Sequence, residues 1–167
     1  MRPLTQSLLI FSLFFLAFSS ALTAQDMDNR KMSRILSKEA ESVEGQLGSW
    51  QAVYGNRLIY VITDQNANRM RIMTAIVELK DVKQKEYKVL LEANFDRALD
   101  AKFAIFEDYL MSVYTHPLKE LTEEQFIDAM RQVVTLAYTY GSSYTSTNMV
   151  FGGGEEEQTE EKKEKDK

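Results

Sequence analysis

The sequence predicts an α+β domain, an antiparallel five-stranded sheet packed by three helices in the order α–β–β–β–α–β–β–α. Three stretches carry that prediction. Residues 49–79 switch to strand-like runs broken at Gly55-Asn56 and again by a polar turn at residues 64–68. Residues 101–106 and 109–115 are aromatic and β-branched runs separated by Glu107-Asp108, and Pro117 stops the second because it has no N–H for a ladder. Residues 121–141 then give a well-specified helix. Thr122 caps it, Gln125 completes a capping box, and Leu121 staples onto Phe126. Phe126, Ile127, Met130, Val133, Val134 and Ala137 recur at helical spacing until Gly141 supplies a stop.

In chain order, residues 1–24 predict a secretory signal peptide. Arg2 provides the positive start, residues 8–18 form an apolar run interrupted only by Ser12, and the small residues of SSALTA follow. The run is shorter than the roughly 20 residues a bilayer span needs. Cleavage after Ala24, with Ala21 as the alternative, would leave a domain over residues 25–148 that acts outside the cytoplasm, with no stable membrane insertion. Residues 26–47 predict an amphipathic helix capped by Asp28, in which Met32, Ile35, Leu36, Ala40, Val43 and Leu47 keep a 3–4 spacing. Gly45 and Gly48 end it.

Strands at residues 50–54, 58–63 and 69–78 follow. The second is apolar on both faces, as a central strand covered by helices on one side and partly on the other would be. A helix over residues 80–95 opens with charge and ends with Tyr87, Leu90, Leu91 and Phe95. That apolar patch makes residues 87, 90 and 91 candidates for a homodimer interface, with the domain's own sheet as the alternative partner. After Gly141, residues 142–148 either prolong the last helix weakly or fray as coil. Residues 149–167 predict a glycine hinge and a disordered charged tail, whose last thirteen residues hold seven acids and four lysines and no apolar side chain.

Composition narrows the function classes. With 20 basic and 25 acidic residues, the net charge of −5 provides no basic footprint for nucleic acid. Arg69 and Arg71 flank Met70 as a local basic spot, and two positive charges on a strand suit a solvent-facing role. The absence of cysteine excludes thiol catalysis, disulfides and CxxC zinc sites. His116 is the only histidine, so a histidine-based metal cluster is excluded, and no cofactor is expected. It sits at a strand end without a G-x-S-x-G turn anywhere, which points to backbone bonding instead of catalysis. Glu107 and Asp108 suit a turn, and Glu123 and Glu124 suit the first turn of a helix, where its dipole favours negative charge. Trp50, Tyr54, Tyr60, Phe103, Phe106 and Tyr109 recur through the strands. They suit sheet core, or an exposed apolar face able to take up an extended segment, and they are the candidate binding set.

Three stretches carry a family resemblance. YKVLLEANF (residues 87–95) looks like a leucine-rich helix ending in Asn. AKFAIFEDYLMSVYTHPL (residues 101–118) looks like a small-residue strand, an acidic turn and a long partner strand ending at Pro. LTEEQFIDAMRQVVTLAY (residues 121–138) looks like a final capped helix. Together, over residues 28–141, they resemble the YbjN-like proteins and the fold these share with type III secretion chaperones. The resemblance implies a small, acidic, often dimeric protein that binds other protein segments instead of turning over a substrate. The expected function is therefore a non-enzymatic, chaperone-like module with an unidentified protein partner. A carrier of a small apolar ligand between sheet and helices is the alternative. The export signal and the acidic tail depart from the family pattern.

Overall fold

The computed structural model describes residues 26–147; the expectations for residues 1–24 and 149–167 lie outside them. Within this span the chain forms α1 (Asn29–Glu39), β1 (Ser42–Gln46), β2 (Ser49–Tyr54), β3 (Arg57–Asp64), β4 (Arg69–Glu78), a 3-10 turn (Leu79–Asp81), α2 (Glu86–Asp96), β5 (Lys102–Phe106), β6 (Tyr109–His116) and α3 (Glu123–Tyr138). The sheet is antiparallel throughout, in the order β1-β2-β3-β4-β6-β5.

It has six strands, not the expected five. The extra one, β1, comes from the stretch expected to prolong the first helix. That helix starts where predicted, with the Asp28 side chain accepting from the Lys31 N–H at 2.7 Å, but it ends at Glu39. Ala40 is already extended, at φ −94° and ψ 151°. Only Val43 within β1 is even partly buried, so the strand carries no alternating pattern, and Val43 lies three residues after Ala40, on the helix's own spacing. Gly45 makes the turn back onto β2 feasible. Its φ is +112°, and a Cβ there would stand 2.4 Å from the Ser49 carbonyl oxygen. Glu41 then fixes β1 at a distance, its carboxylate accepting from the N–H groups of Gly55 (2.9 Å) and Asn56 (3.3 Å) in the β2–β3 turn.

The remaining turns obey local chemistry. Gly55 and Asn56 both have positive φ, 57° and 58°, as a type I′ hairpin needs. Asp64 Oδ1 accepts from the Ala67 N–H, and Asn68 closes that turn at φ 51°. Asn68 also bonds the Lys119 N–H and Glu120, locking the β3–β4 turn to the chain leaving β6. Glu107 turns the β5–β6 hairpin at φ 51°.

The helix α3 crosses β3 to β6 on one face of the sheet, and α1 packs against α3 and β1. The capping box is complete: Thr122 Oγ1 accepts from the Gln125 N–H, and Gln125 Oε1 accepts from the Thr122 N–H at 2.9 Å. Phe126, Ala129, Met130, Val133 and Leu136 are fully buried against Ile59, Val61, Met70 and Ile72 of the core. Each large side chain buried this way contributes roughly 1.5–3 kcal/mol. Gln132 is buried among them, and its polar atoms are all used. Oε1 accepts from the N–H groups of Asp100 (3.0 Å) and Ala101 (3.2 Å), and Nε2 donates to Asp128 (2.8 Å) and Asp100 (3.3 Å).

The helix α2 packs at β5, on the sheet's outer edge. The Asn94 side chain donates to the Phe103 carbonyl (3.0 Å) and accepts from its N–H (2.7 Å). Lys102 closes the helix C-terminus by donating to the carbonyls of Asn94, Ala98 and Leu99. Residues 142–147 neither prolong α3 nor fray. Gly141 and Tyr144 turn the chain with positive φ, and buried Ser146 accepts from the Leu99 N–H at 2.7 Å.

Candidate functional site

Strand register divides the sheet's side chains between two faces. One face carries Trp50, Ala52, Ile59, Val61, Met70, Ile72 and Tyr114, and α1 and α3 cover it. The other has no helical layer among the described residues. On it Gln51 faces Tyr60, Tyr60 faces Met73, and Met73 faces Val113, forming one row across four strands. A second row holds the pairs Val53–Leu58, Ala75–Met111 and Met111–Ala104. Towards the β5–β6 hairpin, Phe106 faces Tyr109, and Tyr109 faces Glu78. At the opposite end Ile62 faces Arg71, and Arg71 faces Thr115.

This face is both apolar and wet. Leu58 is 43% exposed, Ile62 42%, Phe106 57% and Tyr109 41%. Tyr60, Met73, Val53 and Val113 are half-buried. Met111 is buried but lies outside the core cluster, as expected of a side chain sheltered by its neighbours on this second face. A cleft of about 350 Å³ opens at the Arg71 end, lined by Ile62, Thr63, Asp64, Arg69, Met70, Arg71 and Thr115.

The structure separates the six aromatic candidates. Tyr60, Phe106 and Tyr109 stand on the open face. Trp50 and Phe103 are buried in the core and unavailable to a partner, and Tyr54 lies half-buried on the helix-covered side, paired with Arg57. Phe103 packs edge-on against Tyr140 and Tyr144, with ring centroids 6.5 and 6.1 Å away. Composition could not make this division, but the Gly55-Asn56 turn could. A two-residue turn sets Tyr54 opposite Arg57 and Trp50 opposite Val61, which places Tyr60 on the other face. The same counting finds Val53, Leu58 and Ile62, which residue type alone did not single out, whereas Met73 and Val113 are placed by the pairing of β4 with β3 and β6.

The proposed dimer residues divide too. Leu90 is buried, Tyr87 is half-buried against the core, and Leu91 is 71% exposed together with Phe95 at 87%. Part of the patch on α2 is therefore ordinary core cover, and Leu91 and Phe95 are the part left in water.

The ring of His116 is taken up locally. Its Nδ1 lies 2.7 Å from the Pro117 carbonyl oxygen, which can only accept, so that nitrogen carries the proton. The ring also stacks on Tyr114, with centroids 6.2 Å apart. Among the described residues no three His, Asp or Glu side chains gather closely enough to hold a metal ion, and no helix is long and apolar enough to cross a membrane. Two further clefts differ in lining, the first with Met27, Ile35 and Leu121 among its residues and the second polar. One, of about 410 Å³, lies between α1 and the start of α3 with Lys31, Arg34, Lys38 and Glu123 at its walls. The other, of about 430 Å³, lies on the β1–β2 edge.

No protein-family model and no curated protein matches the sequence. Among solved structures the chain is similar to one described as "Structure of the HopA1-SchA Chaperone-Effector Complex", at 14% identity and a TM-score of 0.47, covering 65% of this chain and 91% of that one. Likeness at this level assigns no role to any residue.

Proposed function

We propose that this protein is a non-enzymatic, chaperone-like binding module that takes up apolar segments of another protein on its open sheet face. The observation that carries the reading is the face itself. Three strands present a contiguous strip of Leu58, Tyr60, Ile62, Met73 and Val113 to solvent, with Phe106 and Tyr109 at one end. A lone exposed leucine needs no explanation, but a contiguous apolar strip is the mark of an interaction surface. Burial of that strip, together with backbone pairing where a segment reaches a sheet edge, would supply the affinity. The signal-like residues 1–24 support action outside the cytoplasm, and exposed Leu91 and Phe95 support a homodimer through α2.

The test is suppression of aggregation of a thermally unfolding client protein. Wild type should hold the client in solution, and Met73→Glu or Tyr60→Glu should abolish the effect while keeping the circular dichroism of the fold. Protection by both variants equal to wild type would refute the sheet face as the docking surface.

A further inference from the structure

We propose that the segment taken up on the open face carries a carboxylate beside its apolar side chains, and that Arg71 receives it. This rests on reading the open face as the docking surface and names the chemistry of its occupant. Arg71 sits two residues before Met73 on β4, so its Cα stands about 7 Å along the strand from the centre of the apolar strip. A segment lying over Tyr60 and Met73 meets the guanidinium at its next side-chain position.

The charges on this face make Arg71 the available partner. It donates from Nε to Thr115 Oγ1 at a long 3.4 Å, which leaves the two terminal nitrogens of its fork. Among the described residues no carboxylate lies within ion-pair distance of Arg71 or of Arg69 beside it. The one acid lining the same cleft, Asp64, accepts from the Ala67 N–H at 2.9 Å. The other acids on this face lie elsewhere. Glu78 stands at the hairpin end, paired with Lys80, and Glu44 is on the edge strand β1. Lys102 is occupied by the carbonyls of Asn94, Ala98 and Leu99 at the end of α2 and just beyond it. On a chain of net charge −5, the face thus ends in a cationic cleft adjoining its apolar centre. A guanidinium fork in that position matches a carboxylate with paired hydrogen bonds.

The experiment measures fluorescence anisotropy of two labelled peptides binding to the full chain. Both carry the same alternating Leu-Thr-Phe-Thr core and an amidated C-terminus, one ending in Glu and the other in Lys. The Glu peptide should bind about tenfold tighter at low salt, with the margin shrinking as salt rises. Arg71→Gln should erase the preference and Arg71→Glu should reverse it, whereas Met73→Glu should weaken both peptides. Equal binding of the two peptides, or a Glu preference that survives both Arg71 substitutions, would overturn the carboxylate assignment and leave the docking surface standing. Binding of neither peptide would overturn both. Displacement of the Glu peptide by dodecanoate at lower concentration than by unlabelled peptide would overturn the assignment in favour of a lipid-like ligand.

Discussion

Replacing Gln132 with Leu should be among the most damaging volume-conserving changes this domain can suffer. The side chain sits inside α3, and its Oε1 is the acceptor for two successive main-chain N–H groups where the chain enters β5. Leucine fills nearly the same space, so the cavity contribution is small, and the loss falls on the polar groups left behind. The Ala101 N–H is buried and loses its acceptor, which costs about 1–3 kcal/mol. The Asp100 N–H is only part-buried and recovers some water, so its share is smaller. Asp128 and Asp100 lose a donor, but neither is buried and both can turn to solvent. The expected total is about 2–3 kcal/mol, with Gln132→Ala worse by a further 1–2 kcal/mol or so for the unfilled space. Trp50 provides the assay, since it is the only tryptophan and is buried in the core. Its fluorescence in urea should show an earlier midpoint at unchanged slope, and thermal melts should fall by roughly 6–12 °C. A Gln132→Leu protein within about 0.5 kcal/mol of wild type would refute the reasoning, because the two N–H groups would then have another acceptor.

Three further outcomes follow from the same structure. Thr122→Ala removes one half of the α3 capping box and should cost about 1 kcal/mol in urea unfolding; a neutral result would mean the box adds nothing. The Ser112 hydroxyl is buried without a partner, so Ser112→Ala should be neutral or stabilising by up to about 1 kcal/mol, and a clear loss would contradict that. Burial, then the hydrogen bond to Glu86, pushes the Tyr140 phenol up to about 12 from 10.0. The folded state therefore favours the neutral phenol. That contribution is whole below pH 10 and is lost as pH rises from 10 towards 12. Unfolding midpoints compared at about pH 9 and about pH 11 should drop further for wild type than for Tyr140→Phe, and equal drops would exclude the effect.

Much of the fold was legible because its signals are local. The capping box at Thr122, the positive-φ pair at Gly55-Asn56 and the helix start at Asp28 each depend on residues within three positions of one another. β1 was illegible for the opposite reason. What holds it is Glu41 reaching the turn at Gly55, fourteen residues on, and Gly45 fitting beneath the Ser49 carbonyl, and neither leaves a periodic trace. The candidate site was legible by halves. Aromatic content pointed to the sheet, but which face each ring occupies follows from register, which placed Tyr60 outside and Trp50 within. Arg71 looked like solvent dressing because its cross-strand neighbours, Ile62 and Thr115, are brought beside it only by register and carry no charge.

The amide of Asn94 has a consequence for how this protein behaves when crowded. β5 ends the sheet and displays Ile105 and Phe106 to water, a combination that invites a second molecule to add its own strand and a third to follow. Asn94 already occupies both outward main-chain groups of Phe103, the second residue of the strand, much as a neighbouring strand would. An arriving chain would have to evict it to zip along the edge. A single side chain thus obstructs strand addition at the β5 edge, and it does so without charge, so added salt should not undo the protection.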